Sequence, residues 1–149
     1  MSIRRLAENQ PASFAFKDEY APRIKNEIAK YPAGRQASAV IALLWFGQEQ
    51  EGWVTRPMIE EVGRILGMPY IRVLEVATFY TMFNLEPVGT HLVQVCTTTP
   101  CWLRGSDEIV AACKKHIAEK PHTVSKDGKF SWMEVECLGA CVNAPMLQI

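Results

Sequence analysis

The sequence has 149 residues, 48% of them hydrophobic, and its 16 basic and 16 acidic side chains give a formal net charge of zero. This is the composition of a globular protein, and the lack of a basic excess argues against a nucleic-acid-binding protein. The longest apolar run, about Ala37 to Phe46, is much shorter than the roughly 20 residues that span a bilayer. The amino terminus has no apolar stretch typical of a secretory signal, so we expect a protein of a reducing compartment without direct membrane insertion.

The first part of the chain predicts an extended arm followed by a helical domain. Residues 1–16 contain Pro11 and no sustained hydrophobic period, which predicts an extended amino-terminal arm. Residues 17–88 predict a helical docking domain, in which Thr55 is a candidate N-cap and Tyr80 is expected to be buried on the last helix. No titratable cluster lies on these helices, so we interpret this domain as a hydrophobic core with a docking surface. The four predicted helices lie at about residues 18–31, 35–50, 56–66 and 69–80.

The pattern changes after residue 88, and residues 89–149 predict a second domain that contains strands. A strand that ended at Ile149 would leave a sheet edge uncovered, so we expect either a longer native chain or a partner that covers this edge. The predicted elements are a strand at His91–Cys96, a helix from Ser106 to about Glu119, a hairpin whose arms (123–125 and 129–136) flank Asp127-Gly128, and the start of a strand at 146–149.

All five cysteines fall in this second domain, and four of them form two close pairs. The pairs are Cys96 with Cys101 (C-x4-C) and Cys137 with Cys141 (C-x3-C). In a chain without an export signal, paired cysteines more often bind a metal or carry out redox chemistry than form structural disulfides. If the two strands that precede the pairs are neighbours, four thiolates surround one small volume. The fifth cysteine, Cys113, falls on the apolar face of a predicted helix and is interpreted as a small buried hydrophobe.

Three chemistries fit the two pairs. A [2Fe–2S] cluster needs four thiolates, two for each iron, and each loop would supply two. Structural zinc also takes four thiolates, but more often from shorter C-x2-C knuckles. Thiol–disulfide exchange usually depends on C-x-x-C at a helix amino terminus, a spacing that neither pair has. The spacing alone therefore favours iron–sulfur over zinc, and zinc over a dithiol enzyme. Near such a cluster, threonines 97–99 can supply amides and hydroxyls, and Trp102 is either a shield against water or ordinary packing.

The residues around the cysteines resemble a known family. CTTTPC at 96–101 and VECLGACVNAPM at 135–146 closely resemble the small two-iron ferredoxin component of NADH:quinone oxidoreductase (respiratory complex I). The helical segments SAVIALLWFGQEQEGWV at 38–54 and LGMPYIRVLEVATFYTMF at 66–83 resemble the amino-terminal region of that family. The resemblance covers about residues 16–149. It implies an α+β fold, in which a small helical bundle precedes a thioredoxin-like α/β ferredoxin domain that is incomplete at its carboxyl end.

The resemblance also implies a function and a set of ligands. Matched residue for residue, Cys96, Cys101, Cys137 and Cys141 hold one [2Fe–2S] cluster, and no residue of this chain is catalytic. The cluster exchanges single electrons with FMN on a larger flavoprotein subunit, which also binds NADH and which docks with this chain and with other peripheral-arm subunits. The absence of a GxGxxG motif or P-loop from this sequence agrees with a nucleotide site on the partner.

The implied location is peripheral, on the cytoplasmic side of a bacterial inner membrane or on the matrix side in mitochondria. Two alternatives stay open at this point. Related subunits serve NAD-linked hydrogenases and formate dehydrogenases, so the parent complex could be one of these. A zinc-stapled assembly module without a redox role is the alternative from a different functional class.

Overall fold

In a computed structural model that describes residues 4–149, the chain divides into two units. The first, which we call the helical unit, ends at Pro87, and the second, the sheet unit, comprises Val88–Ile149. The first three residues of the predicted extended arm lie outside the described residues. In the part of the chain that is described, no helix combines the length and the apolar character needed to cross a membrane.

The helical unit contains the four predicted helices. They are α1 (Ala21–Ala29), α2 (Val40–Glu51), α3 (Arg56–Leu66) and α4 (Tyr70–Phe79), with short 3-10 turns at Asp18–Tyr20 and Gln36–Ala39 before α1 and α2. The predicted N-cap of α3 is confirmed, because the Thr55 hydroxyl accepts a hydrogen bond of 3.2 Å from the backbone N–H of Met58. The core of this unit is formed by fully buried side chains from α2, α3 and α4, among them Leu43, Leu44, Met58, Ile59, Val62 and Val73.

The expected burial of Tyr80 is wrong. Helix α4 ends at Phe79, and Tyr80 leaves the helical conformation with φ −84° and ψ 120°. The helical period therefore no longer directs its side chain toward the core, and the ring is exposed.

Hydrogen bonds hold the described part of the amino-terminal arm against the helical unit. Residues 4–17 form no helix or strand, but the backbone N–H of Ala7 donates to the Leu85 carbonyl at 2.9 Å. The Arg4 guanidinium donates to the carbonyl oxygens of Thr78 at 3.1 Å and Tyr80 at 2.6 Å, and also to that of Phe83. These carbonyls lie at the end of α4 and in the turn after it, where backbone acceptors lack helical partners. Arg4 therefore acts as a cap that is supplied from a distant part of the sequence.

The sheet unit is built on a three-stranded sheet in the order β2–β1–β3. The strands are β1 (His91–Cys96), β2 (Phe130–Val135) and β3 (Leu147–Gln148). The central strand β1 pairs in parallel with β2 and antiparallel with β3. The connection from β1 to β2 contains two helices, α5 (Thr99–Leu103) and α6 (Ser106–His116). The buried core of this unit consists of Val93, Val95, Val110, Cys113 and Trp132.

Two sequence expectations for the sheet unit are wrong. The turn at Asp127-Gly128 exists, with a hydrogen bond of 2.7 Å from the Ser125 N–H to the Phe130 carbonyl, but residues 123–125 do not form a strand. Instead β2 finds its ladder partner in the buried six-residue strand β1, which offers more hydrogen bonds than a three-residue arm. Helix α6 ends at His116 rather than near Glu119, because the N–H groups of Ile117 and Ala118 both donate to the Cys113 carbonyl and close the helix.

Candidate metal centre

The parallel pairing of β1 and β2 brings the two cysteine pairs to the same end of the sheet. Cys96 is the last residue of β1 and lies opposite Val135, the last residue of β2, so that Cys137 follows only two residues later. The carboxyl ends of parallel strands lie on one edge of a sheet, where ligand sites of α/β folds commonly occur. The prediction that the strands before the two pairs are neighbours is therefore confirmed.

The two pairs differ in burial. Cys96 is 2% exposed and Cys101, in the first turn of α5, is 1% exposed. Cys137 and Cys141 are exposed, and Cys141 begins a 3-10 turn at Cys141–Asn143. All of these cysteines are free thiols. The first pair is thus a buried half of the candidate site, and the second pair lies on an exposed segment, residues 137–141, which we call the second cysteine loop.

Cys96 has the most hydrogen-bond partners of the four. Its Sγ lies 3.2 Å from Thr98 Oγ1 and donates to the carbonyl of Glu136 at 3.1 Å. The Thr98 hydroxyl is the main cause that lowers the pKa of Cys96 to about 7; burial opposes it, and the backbone N–H groups of Thr98 and Leu138 and the Cys101 thiol assist it. A substantial share of Cys96 is therefore thiolate near neutral pH, and the thiolate is the form that binds metals.

Cys101 has the opposite electrostatic environment. Burial raises the pKa of its thiol, and the neighbouring Cys96 thiol and the charge of Cys141 raise it further. Two thiols in contact cannot easily both ionise without a cation, because their negative charges repel each other. The buried pair is therefore arranged so that Cys96 ionises first and Cys101 keeps its proton.

In the second cysteine loop, the backbone N–H of Gly139 donates to Cys137 Sγ at 3.4 Å. Gly139 has φ 73°, a left-handed conformation that glycine adopts without the steric cost of a Cβ atom. This turn aims a backbone N–H at a sulfur atom, which stabilises a thiolate.

The four sulfur atoms are not gathered into one cluster. Within residues 4–149, the structure contains no group of three or more His, Cys, Asp or Glu side chains that could hold a metal ion. Cys96 and Cys101 are hydrogen-bonded to each other, Cys141 interacts electrostatically with Cys101, and Cys137 bonds to its own loop. The structure thus brings the two halves to the same edge of the sheet and leaves the second cysteine loop open.

Two further residues that the sequence singles out have ordinary surroundings. Cys113 packs on α6 in the core of the sheet unit, and burial raises the pKa of its thiol, in agreement with the interpretation as a small hydrophobe. Trp102 is exposed, and its indole N–H donates to Asp107 at 3.2 Å, so it is not part of a core. The contact of Cys96 with the Glu136 carbonyl was not predicted, since it depends on the parallel register of β1 and β2, which the sequence does not reveal.

Comparisons with known proteins agree with this geometry. The family of thioredoxin-like [2Fe-2S] ferredoxins matches residues 24–149. The chain is 61% identical to the first of the E-type subunits of NADH-quinone oxidoreductase from Rhizobium meliloti, an alignment that covers all of this chain and 55% of that protein. It is 54% identical to the E-type NADH-quinone oxidoreductase subunit of Rickettsia bellii and 52% identical to that of Rickettsia typhi, over 92% of this chain and 83% and 81% of those proteins.

The chain thus spans little more than half of the Rhizobium protein but most of the two Rickettsia proteins. The family match covers the α+β arrangement described above, from within α1 to the end of β3, and includes both cysteine pairs. On this evidence, the chain belongs to the thioredoxin-like [2Fe-2S] ferredoxin family.

Proposed function

We propose that this chain is an electron-transfer subunit of NADH-quinone oxidoreductase and that Cys96, Cys101, Cys137 and Cys141 hold one [2Fe–2S] cluster. The observation that carries the proposal is the delivery of both cysteine pairs to one end of the sheet by the parallel strands β1 and β2. The names of the relatives support the choice of this complex over a hydrogenase or formate dehydrogenase. When bound, a two-iron cluster accepts and releases one electron at a time.

The donor set fits this group. A [2Fe–2S] cluster takes four thiolates, and the four proposed ligands are all free thiols. Two of them already receive hydrogen bonds of the kind that stabilise sulfur ligands, Cys96 from Thr98 and Cys137 from the Gly139 N–H. Burial of the first pair limits access of water to this half of the site.

One contact explains how the second cysteine loop would close. The Cys96 thiol donates its proton to the Glu136 carbonyl, 3.1 Å away. Metal binding removes that proton, since cysteine ligands bind as thiolates. A carbonyl oxygen then faces a negative sulfur, which is repulsive, so Glu136 moves away from Cys96. Because Cys137 is the next residue, this movement displaces the second cysteine loop and lets its exposed sulfurs approach the buried pair.

The apolar surface beside the cysteines supports a protein partner. Trp102 and Leu103, which follow Cys101, are 56% and 71% exposed, and Val142, which follows Cys141, is 99% exposed. Large apolar side chains that are grouped at a surface commonly mark interaction sites. In this proposal the partner is a larger flavoprotein subunit that binds FMN and NADH, and the chain belongs to the peripheral part of the complex on the cytoplasmic side of the membrane.

Iron and acid-labile sulfide analysis of the purified chain tests the proposal. About two iron and two sulfide per chain, with visible absorption that bleaches on reduction, is the expected result. The zinc alternative predicts about one zinc per chain, no sulfide and no colour. A colourless protein with stoichiometric zinc after anaerobic purification would contradict the electron-transfer function.

A further inference from the structure

Thr98 occupies a helix N-cap but does not cap the helix. It precedes α5 with extended backbone angles, φ −72° and ψ 164°, yet its side chain makes no capping hydrogen bond. Thr55 shows the usual behaviour in this same chain, since it caps α3 by accepting from the Met58 N–H. The α5 helix has Pro100 near its start, which offers no N–H. The Thr98 hydroxyl is thus not used by the backbone.

The Thr98 hydroxyl instead contacts a cysteine sulfur. Thr98 Oγ1 lies 3.2 Å from Sγ of Cys96, which is 2% exposed. Within residues 4–149, this is the sole hydrogen bond between a side-chain hydroxyl and a cysteine. A thiolate carries no proton and can only accept a hydrogen bond, so in a metal-bound protein the hydroxyl must be the donor. The contact joins neighbours two residues apart, so it does not depend on closure of the second cysteine loop.

We propose that Thr98 is a positioning residue that donates a hydrogen bond to the Cys96 thiolate and thereby raises the reduction potential of the cluster. This inference rests on the proposed function, because it needs Cys96 to be a cluster ligand. Reduction adds negative charge to the cluster and its sulfur ligands, so a donor stabilises the reduced form more than the oxidised form. Loss of the donor makes reduction less favourable by up to about tenfold in the equilibrium constant, which corresponds to 59 mV for a one-electron couple.

The test is an EPR-monitored redox titration of the 149-residue chain loaded with its cluster, alongside the variants Thr98→Val, Thr98→Ser and Thr99→Val. Thr98→Val removes the hydroxyl at nearly constant volume, whereas Thr98→Ser retains it. Thr99→Val is the matched control, because Thr99 is the adjacent exposed threonine and its hydroxyl contacts no cysteine among the described residues. We expect a lower potential only for Thr98→Val, with iron content equal to that of the unsubstituted chain in all three variants.

Each other outcome contradicts a distinct statement. An unchanged potential in loaded Thr98→Val overturns the role of Thr98 and leaves the proposed function intact. Equal shifts in Thr98→Val and Thr98→Ser overturn it as well, because the hydroxyl would then not be the cause. If Thr98→Val binds no iron, Thr98→Ala serves as the second variant. Failure of both to bind iron, with normal loading of Thr98→Ser, assigns the hydroxyl to cluster assembly and refutes control of the potential. If the unsubstituted chain holds no two-iron cluster, the proposed function itself fails.

Discussion

Replacement of Arg4 by alanine tests whether the amino-terminal arm stabilises the helical unit. The guanidinium donates to the carbonyls of Thr78 and Tyr80 at 3.1 Å and 2.6 Å, and also to that of Phe83. A hydrogen bond that involves a charged group contributes about 1.5–3 kcal/mol net. Water can reach the exposed Tyr80 contact and replace it, but the other two contacts are partly buried. We therefore expect Arg4→Ala to lower the free energy of unfolding by about 2 kcal/mol.

The assay is urea unfolding of the metal-free chain followed by circular dichroism at 222 nm, which is dominated by helices α1 to α4. For a unit of this size, 2 kcal/mol corresponds to a fall of roughly 10 °C in melting temperature. Arg4→Lys should recover only part of the loss, because an ammonium group lacks the planar fork of donors. Arg5→Ala is the matched control, because Arg5 is adjacent and exposed. If Arg4→Ala unfolds within about 0.5 kcal/mol of Arg5→Ala, the capping role is refuted.

Three further predictions concern the cysteines. Cys113→Ala should leave the iron content unchanged, as measured by iron analysis, because Cys113 packs in the core of the sheet unit. Cys137→Ala should abolish iron binding and lower the melting temperature of the chain isolated after iron loading, yet leave the metal-free chain unaltered, since the exposed Cys137 bonds only to Gly139 among the described residues. Amide hydrogen exchange at residues 136–141 should slow when iron binds, because the second cysteine loop closes over the buried pair. Iron loss in Cys113→Ala, equal destabilisation of both forms by Cys137→Ala, or exchange in the loop that is independent of iron would each contradict the corresponding statement.

The local elements of the fold were largely accessible from the sequence. The helical period, Thr55 and the β-branched run at His91–Cys96 predict α3 and β1 at or near their observed bounds, because these signals act between residues close in sequence. Helix α5 has only five residues, too few to establish a period, and it was not predicted. The failed hairpin shows the limit of local signals: Asp127-Gly128 specifies a turn, but the ladder partner of β2 is determined by burial against β1, 39 residues away in register.

The same distinction applies to the candidate site. Spacing and family resemblance select the four cysteines, but neither indicates that Cys96 and Cys101 are buried while Cys137 and Cys141 are exposed. That asymmetry arises from tertiary packing, since Cys96 ends the central strand of the sheet. The Glu136 contact likewise depends on strand pairing. The Thr98 contact lies two residues from Cys96, but only its geometry distinguishes it from an ordinary helix cap.

Iron anomalous diffraction from crystals of the loaded chain tests the central claim most directly, because it locates the metal and its ligands together. The account predicts two bridged iron atoms at the carboxyl end of β1 and β2, each bound by two sulfur atoms from Cys96, Cys101, Cys137 and Cys141. A single tetrahedral ion without iron scattering, or cystine bonds between these cysteines, would contradict it.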